Sequence, residues 1–206
     1  MITDTKIRAI VFDYGMVLLE WDPRRIFQRA FPAGPQAVEA FLEEIKFMEW
    51  HKQQDNGRSF AEAIAEHSAQ FPQYAHILPV YDTSWSESVV GPIEGTVKIL
   101  QRLKRAGYPL YGLSNYPAEK FRLDRARFEF FDWFDDMVIS GEVRLSKPDP
   151  AIFNLLLNKI GRSAQECIFI DDSTANVISA RQLGFGAIQF RSPEQLEEDL
   201  QKFGIL

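Results

Sequence analysis

Two short apolar runs of the sequence end in carboxylates, and carboxylates at such positions can do chemistry. Ile10-Val11-Phe12 stops at Asp13, and Ile168-Phe169-Ile170 stops at the adjacent acids Asp171 and Asp172. β-Branched and aromatic runs of this length predict buried strands. In an open α/β sheet, ligands bind in the crevice outside the carboxyl ends of the strands. These acids are therefore placed where a reaction can take place, and Asp13 is the candidate nucleophile.

Further polar groups accompany these acids. A predicted strand over 108–113 stops at Ser114 and Asn115, and Lys147 lies in a Ser-Lys-Pro-Asp-Pro turn before a predicted helix. Clustered carboxylates repel one another and require a cation, and hard oxygen ligands without Cys or His suit Mg²⁺. Phosphoryl transfer uses such a metal, an in-line nucleophile, and hydroxyl, amide and ammonium donors. The combined set of residues favours that chemistry.

Each polar group also has a purely structural interpretation. Asp13 could close its strand through an Asx turn, Ser114-Asn115 could cap the following helix, and Lys147 could be a solvated loop cation. The adjacent acids Asp171 and Asp172 are harder to explain in this way, because they repel each other unless a ligand or hydrogen-bond donors are present. At this point both interpretations stay open.

Composition limits the classes of protein to which the chain can belong. The 206 residues are 46% hydrophobic and 13% aromatic, which allows a sizeable core in one domain or in one domain with an insertion. The net charge of −6 argues against nucleic acid or an anionic membrane as the main partner. Cys167 is the one cysteine, which excludes an intramolecular disulfide and favours a reducing compartment. Residues 1–6 show no signal-peptide pattern and no later run approaches a membrane span, so we expect a soluble cytoplasmic protein.

Strands and helices alternate along residues 91–206, whereas residues 20–90 contain no convincing strand. The alternation predicts an α/β fold with a Rossmann-like, mostly parallel sheet covered by helices on both faces. Apolar residues at helical spacing predict helices over 36–51, 59–69 and 74–90. Residues 20–90 are therefore predicted to be an inserted α-helical cap, and residues 1–19 and 91–206 to be the α/β core domain.

The polar strand ends belong to four segments that occur in a specific order. These are Phe12-Asp13-x-Gly-x-Val-Leu, Leu113-Ser114-Asn115, Lys147-Pro148-Asp149-Pro150-x-Ile-Phe and Ile170-Asp171-Asp172-Ser173-x-x-Asn176. Their order resembles that of the haloacid dehalogenase superfamily, and the helical insertion after the first segment resembles its subfamily I. Gly15 and Trp21-Asp22-Pro23 resemble the branch that contains alpha-D-glucose-1-phosphate phosphatase and the phosphatase domain of soluble epoxide hydrolase. The resemblance covers nearly the whole chain.

The resemblance implies a role for each of the matching residues. It implies a Mg²⁺-dependent phosphatase that hydrolyses a small phosphorylated metabolite through an aspartyl-phosphate intermediate. The implied catalytic residues are Asp13, as the nucleophile, and Lys147, and the implied phosphate-binding residues are Ser114, Asn115 and Lys147. The implied metal ligands are Asp13, the backbone carbonyl of Gly15, Asp172 and, nearby, Asp171. Asn176 follows Asp172 by one helical turn and is expected to hold that carboxylate or its metal-bound water.

Gly15 departs from the pattern of most phosphatases in this superfamily. They carry an acid/base Asp two residues after the nucleophile, where this chain has glycine. The carbonyl ligand survives this change, but the proton shuttle does not, and losing general acid–base help typically slows a reaction about 10²–10⁴-fold. Candidates for a substitute are Glu20, Asp22 and His51, although Asp22 is more simply the N-cap before Pro23.

Two other functions compete with the phosphatase hypothesis. A hydrolytic 2-haloacid dehalogenase also uses an aspartyl nucleophile and also lacks the second Asp, but it needs no metal and carries Ser and Asn where this chain has Asp171 and Asp172. A catalytically weakened binding or regulatory protein would explain Gly15, but it has no physical need for Asp13, Lys147 and Asp172 together.

The insertion is expected to select the substrate. Sugar phosphates are the leading candidates by resemblance alone. The residues of the insertion that could line a substrate pocket are Trp21, Phe47, Trp50, His51 and Arg58. Oligomeric state cannot be read from the sequence.

Overall fold

The computed structural model describes residues 7–206, so the expectation for residues 1–6 lies outside the described residues. The strands, numbered along the chain, are β1 (Ala9–Phe12), β2 (Leu19–Trp21), β3 (Val89–Pro92), β4 (Leu110–Ser114), β5 (Asp136–Ile139), β6 (Cys167–Asp171) and β7 (Gly186–Gln189). Five of them form a parallel sheet in the order β5-β4-β1-β6-β7. The strand that precedes Asp13 therefore lies in the middle, between the strands that end at Ser114 and Asp171.

Helices cover both faces of this sheet. They are α1 (Arg24–Phe27), α2 (Pro35–Glu44), α3 (Phe47–Asp55), α4 (Phe60–Gln70), α5 (Val80–Thr83), α6 (Trp85–Ser88), α7 (Glu94–Arg105), α8 (Ala118–Arg125), α9 (Ser140–Val143), α10 (Pro150–Ile160), α11 (Thr174–Gln182) and α12 (Pro193–Lys202). Among the described residues, no helix is long and apolar enough to span a membrane.

The central strand β1 shows why both faces are covered. All of its side chains are fully buried, and they alternate between two hydrophobic clusters. Ile10 and Phe12 pack with apolar residues of α7 and α12, and Ala9 and Val11 pack with residues of α10 and α11. Successive side chains of a strand point to opposite faces, so a continuous apolar run fits a strand that is buried on both sides. The predicted α/β fold class is confirmed.

The insertion is helical, and α4 matches the helix predicted over 59–69, but the other two predicted helices differ from the observed ones. The helix predicted over 36–51 is wrong: α2 ends at Glu44, and α3 begins after Lys46, which has a left-handed conformation with φ of 50°. Met48 extended the apolar pattern, yet its side chain is 51% exposed. The apolar spacing therefore continues across the junction between two helices, because the pattern combines the buried face of one helix with a surface residue of the next.

The region predicted as a helix over 74–90 is also different. It contains the short helices α5 and α6, and its last residues begin strand β3. Strands β2 and β3 pair antiparallel, with Leu19 opposite Pro92. Sequence periodicity missed both strands because they are only three and four residues long. The pair brings the two ends of the insertion side by side, which supports the proposed boundaries of a cap at 20–90 and a core domain at 1–19 and 91–206.

We expect Gly112→Ala to destabilise the fold by about 1–3 kcal/mol, since overpacking a close-packed core costs about this much. A Cβ at Gly112 would lie 1.7 Å from the Tyr14 hydroxyl oxygen, and Tyr14 is fully buried. Urea unfolding measures the loss. Gly15→Ala is the matched control, because no atom lies within 4 Å of a Cβ built there. Equal stability of the two variants would contradict this packing.

Candidate active site

The polar ends of β4, β1 and β6 form one cluster at the carboxyl edge of the sheet. Asp13 directly follows β1, and its Oδ1 accepts hydrogen bonds from Ser114 Oγ at 2.7 Å and from the Tyr14 backbone N–H at 2.7 Å. The same oxygen lies 2.9 Å from the Lys147 ammonium. No hydrogen bond between described residues engages Oδ2 of Asp13. The nucleophile candidate thus has one oxygen held and one oxygen free.

The Asn115 side chain fixes the backbone position of Lys147 through two hydrogen bonds. The Asn115 amide donates to the Lys147 carbonyl oxygen, and its Oδ1 accepts from the Lys147 backbone N–H, both at 2.9 Å. These bonds occupy both ends of the Asn115 side chain. The structure therefore gives this side chain a bracing role, and its contact with phosphate stays a prediction.

Asp171 is the second carboxylate that holds the Lys147 ammonium. Its carboxylate accepts from Lys147 Nζ at 2.6 Å, from the Ser173 backbone N–H at 2.8 Å and from Asn176 Nδ2 at 3.0 and 3.1 Å. The spacing predicts that Asn176 holds Asp172 or its metal-bound water, whereas in the structure its amide donates to Asp171. Asp171 is fully buried and saturated with donors, so it is the acid of this pair that is least available to a metal.

A cation fits the acids of this cluster. Carboxylate oxygens of Asp13, Asp171 and Asp172 lie within 4.8 Å of one another, and Asp172 is exposed while the other two are buried. Oxygen donors alone, without His or Cys, are the set that Mg²⁺ prefers. The acids whose carboxyl groups could hold such an ion are Asp172, which is exposed, and Asp13.

The charges of the cluster are unbalanced, because three carboxylates surround one ammonium. Burial raises the pKa of Asp13 to about 7, an effect that the charge of Asp171 strengthens and the Lys147 ammonium opposes. Burial alone would lower the pKa of Lys147, but the charges of Asp13 and Asp171 outweigh it and raise that pKa. Burial and the charge of Asp171 also raise the pKa of Asp172. A bound cation would relieve this excess of negative charge.

Gly15 lies in the loop between Asp13 and β2. Its φ is not positive, whereas the next residue, Met16, has a φ of 57°. No atom lies within 4 Å of a Cβ built at Gly15. The glycine is therefore required neither by backbone strain nor by crowding, and the space that an acid would fill in most related phosphatases is open.

A cavity of about 210 Å³ is lined by residues of the insertion and by residues that follow Asp13 and Ser114 in the sequence. Gly15 and Asn115 line its side towards the core, and most of its surface is apolar. The apolar side chains include Met16, Trp21, Trp85 and Tyr116, and the polar ones of the insertion are His51, Lys52 and Asp55.

The predicted pocket residues divide into two groups. Trp21 and His51 line the cavity, whereas Phe47 and Trp50 are buried and Arg58 pairs with Glu66. Asp55 is not among the predicted pocket residues, because it directly precedes Asn56-Gly57, a sequence typical of a turn.

The other predicted substitutes for the missing acid do not line this cavity. Glu20 is exposed, and Asp22 Oδ1 accepts from the Arg24 backbone N–H at 3.1 Å at the start of α1. Asp22 thus accepts from the first backbone N–H of α1, which is a structural role that agrees with its position before Pro23.

Comparison with known proteins gives one consistent family. A family model described as haloacid dehalogenase-like hydrolase matches residues 7–184. Drimenol cyclase drtB from Aspergillus calidoustus is 24% identical over 94% of this chain and 36% of its own length. Sesquiterpene phosphatase astK from Aspergillus oryzae is 27% identical over 87% of this chain and 88% of its own length. The chain thus spans little more than a third of the cyclase but most of the phosphatase.

Solved structures agree with this match. The HAD family enzyme bt-2542 from Bacteroides thetaiotaomicron superposes with a TM-score of 0.77 and 23% identity, covering 95% of this chain and 98% of the enzyme. Its wild-type complex with magnesium and inorganic phosphate gives a TM-score of 0.68 and 26% identity, over 90% of this chain and 95% of the enzyme.

Proposed function

The chain belongs to the haloacid dehalogenase-like hydrolase family, and from that premise we propose that it is a magnesium-dependent phosphatase with Asp13 as its nucleophile. The observation that supports the proposal is the pattern of hydrogen bonds and charge contacts at the Asp13 carboxylate. Its Oδ1 is held by Ser114 and Lys147, and its Oδ2 accepts no hydrogen bond from the described residues. A carboxylate oriented in this way can attack phosphorus with the free oxygen.

In the proposed reaction, Asp13 displaces the alcohol of a phosphate monoester and forms an aspartyl phosphate, which water then hydrolyses. Ser114 Oγ and Lys147 Nζ lie beside the attacking carboxylate, where they can donate to the oxygens of the transferring phosphoryl group. Asp13, the Gly15 carbonyl and Asp172 would hold Mg²⁺. When bound, this ion supplies positive charge that neutralises phosphoryl oxygens.

Two relatives support this proposal, one by its name and the other by the ligands in its solved structure. The sesquiterpene phosphatase matches over most of both chains, and the bacterial enzyme bt-2542 has been solved with magnesium and inorganic phosphate. Both observations favour phosphate ester hydrolysis over the two competing functions. The saturated, buried Asp171 and the nearby Asp172 also disfavour a dehalogenase, since these acids would repel a carboxylate substrate.

The cavity suggests the chemical character of the alcohol that leaves. Its surface is mostly apolar, with Trp21, Trp85, Met16 and Tyr116 among its lining residues. We therefore propose a monoester of an apolar or aromatic alcohol as the substrate. A sugar phosphate, favoured by resemblance, stays a prediction, because a sugar would leave several hydroxyl groups against apolar surface.

A substrate panel tests the proposed function. Purified protein is assayed with p-nitrophenyl phosphate, farnesyl monophosphate and glucose 1-phosphate, each with Mg²⁺ and with EDTA. We expect Mg²⁺-dependent release of phosphate, with kcat/KM for the farnesyl ester higher than for the sugar ester. No phosphate release from any ester would contradict the phosphatase function, and a preference for the sugar ester would contradict the proposed substrate class alone.

We expect Asp172→Ala to weaken Mg²⁺ binding about 10²-fold and Asp171→Ala to weaken it less, because losing even an outer-shell partner of a metal site costs about 10–100-fold. Asp171 already accepts four hydrogen bonds, including one from Lys147, so its loss should lower the melting temperature instead. Calorimetric Mg²⁺ titration and thermal unfolding of both variants measure these effects. Equal losses of affinity would mean that the two acids bind the ion jointly.

A further inference from the structure

Gly15 leaves the proposed reaction without a group that protonates the departing oxygen. We propose that Asp55, at the end of helix α3 of the insertion, is the general acid and base of this enzyme, with His51 as its positioning residue. This inference rests on the proposed phosphatase function. It assigns the missing proton transfer to a residue of a different segment of the chain from the one that carries the nucleophile.

Asp55 is buried but incompletely hydrogen-bonded. Its exposed fraction is 8%, and no described residue donates a hydrogen bond to its Oδ1. A buried polar atom without a partner is costly, and such atoms call for an explanation such as a ligand or a catalytic role. Asp55 lines the same cavity as Gly15 and Asn115. A leaving-group oxygen bound in this cavity would be the partner that Oδ1 lacks.

The core holds Asp55 in place. Its backbone carbonyl accepts a hydrogen bond from Ser140 Oγ at 2.5 Å, and Ser140 Oγ in turn accepts from the Tyr116 backbone N–H at 2.9 Å. Ser140 begins α9 and directly follows β5, a strand of the central sheet. The last residue of α3 is therefore attached to the edge of the sheet that carries the polar cluster. A catalytic group on the insertion needs such an anchor to be positioned reproducibly.

His51 faces the other oxygen of Asp55. Its Nε2 lies 3.5 Å from Asp55 Oδ2, and its Nδ1 is in hydrogen-bond contact with the Tyr81 hydroxyl. Burial and the charge of Asp55 raise the pKa of Tyr81 well above its usual value, so Tyr81 remains a phenol and donates to Nδ1. This assignment puts the ring hydrogen of a neutral His51 on Nε2, where it points towards Asp55.

The charged and titratable groups around Asp55 set its protonation. Burial raises its pKa, and His51, Lys147 and Lys52 oppose that rise. Burial lowers the pKa of His51, so the ring is mostly neutral. Asp55 therefore keeps its proton to a higher pH than an ordinary aspartate, which suits a group that must donate a proton and then recover it.

The two proton transfers balance. In the first step, Asp13 Oδ2 forms a bond to phosphorus, the bond between phosphorus and the ester oxygen breaks, and the Asp55 carboxyl proton moves to that oxygen. In the second step, the Asp55 carboxylate takes a proton from water, whose oxygen forms a bond to phosphorus, and the bond between Asp13 and phosphorus breaks. Inorganic phosphate leaves, and Asp55 is protonated again.

The test compares leaving groups in Asp55→Asn and the wild-type protein. An alkyl phosphate needs a proton on its departing oxygen, whereas p-nitrophenyl phosphate needs little help. We expect kcat/KM for an alkyl phosphate to fall about 10²–10⁴-fold in the variant and kcat/KM for p-nitrophenyl phosphate to fall much less. Because the second step also loses its base, p-nitrophenol should appear as a burst of one equivalent, followed by slow turnover with the phosphorylated enzyme accumulating.

Matched variants separate catalysis from structure. Glu49→Gln removes an exposed acid from the same helix and should leave both kcat/KM values unchanged. Gly15→Asp in the Asp55→Asn background places a carboxylate in the open space beside Asp13 and should restore part of the alkyl phosphate activity. In the wild type, kcat/KM for the alkyl ester should fall at alkaline pH as Asp55 loses its proton. The substitution His51→Asn should move this decrease in kcat/KM to higher pH.

Several outcomes would overturn the assignment of Asp55. One is an unchanged kcat/KM for the alkyl ester in Asp55→Asn, and another is an equal loss of kcat/KM for the alkyl and aryl esters without a burst of p-nitrophenol. If the variant does not fold, a wild-type pH profile of kcat/KM that falls equally for both esters at alkaline pH would overturn it. Absence of Mg²⁺-dependent hydrolysis in the wild type would instead overturn the proposed phosphatase function itself.

Discussion

Asp13→Asn is expected to reduce turnover by about 10⁴-fold or more, because removing a nucleophile that forms the covalent intermediate costs at least this much in other hydrolases. The amide is nearly isosteric with the carboxylate, so Ser114 and the Tyr14 backbone N–H can still donate to its oxygen. It cannot attack phosphorus. The variant also leaves Lys147 paired with Asp171 at 2.6 Å, so the remaining buried charges balance better than in the wild type.

The same substitution should change how stability depends on pH in the absence of metal. Burial raises the pKa of Asp13 from 3.8 to about 7, so the folded state binds this proton more tightly than the unfolded state does. Stability therefore falls as pH rises from about 4 through 7, and Asp13→Asn should lose that part of the dependence. The melting temperature is measured from pH 5 to 8 in EDTA.

Phosphatase assays with Mg²⁺ and a partly exposed control, Asp22→Asn, complete the test of Asp13. The control makes the same change from carboxylate to amide at a residue outside the cluster, and it should retain turnover. Trapping a beryllium fluoride adduct on the wild type and not on Asp13→Asn would support covalent catalysis. An Asn variant with wild-type activity would remove Asp13 from the role of nucleophile.

The polar cluster could be predicted because its residues follow strands that are buried on both faces. A continuous apolar run such as Ile10-Val11-Phe12 specifies a central parallel strand, and the parallel arrangement then brings Asp13, Ser114 and Asp171 to one edge. Strand pattern and strand direction together determine this placement. The hydrogen-bond partners within the cluster could not be derived in the same way. Asn115 and Asn176 each select one partner among several polar groups within reach, and that selection depends on distances between side chains.

The insertion was less predictable than the core for a physical reason. Short helices such as α5 and α6 have little helical stability of their own and form through packing, so spacing along the chain indicates them poorly. The position of Asp55 depends on how the insertion docks. Ser140 and Asp55 are 85 residues apart in the sequence, and no local sequence pattern predicts their contact. The sequence could therefore indicate that an acid was missing at Gly15, but not which residue of the insertion reaches the site.

Lys147→Met is expected to lower both activity and stability. The Lys147 side chain is fully buried and its ammonium lies 2.9 Å from Asp13 and 2.6 Å from Asp171. Removing one member of a buried ion pair leaves an uncompensated charge and costs about 3–5 kcal/mol. Activity should fall about 10²–10³-fold, the loss expected when one preorganised donor to a developing charge is removed.

A double variant and a surface control separate the two effects of Lys147. Lys147→Met with Asp171→Asn removes the orphaned carboxylate, so it should recover a large part of the free energy of unfolding but none of the activity. Lys159→Met breaks an exposed ion pair with Asp136 at 2.6 Å and should change stability by less than about 1 kcal/mol. Urea unfolding at constant pH and Mg²⁺-dependent hydrolysis of p-nitrophenyl phosphate measure both quantities. If the double variant were no more stable than Lys147→Met, the ammonium would stabilise the fold through packing rather than by compensating Asp171, and the charge balance described for the cluster would be wrong.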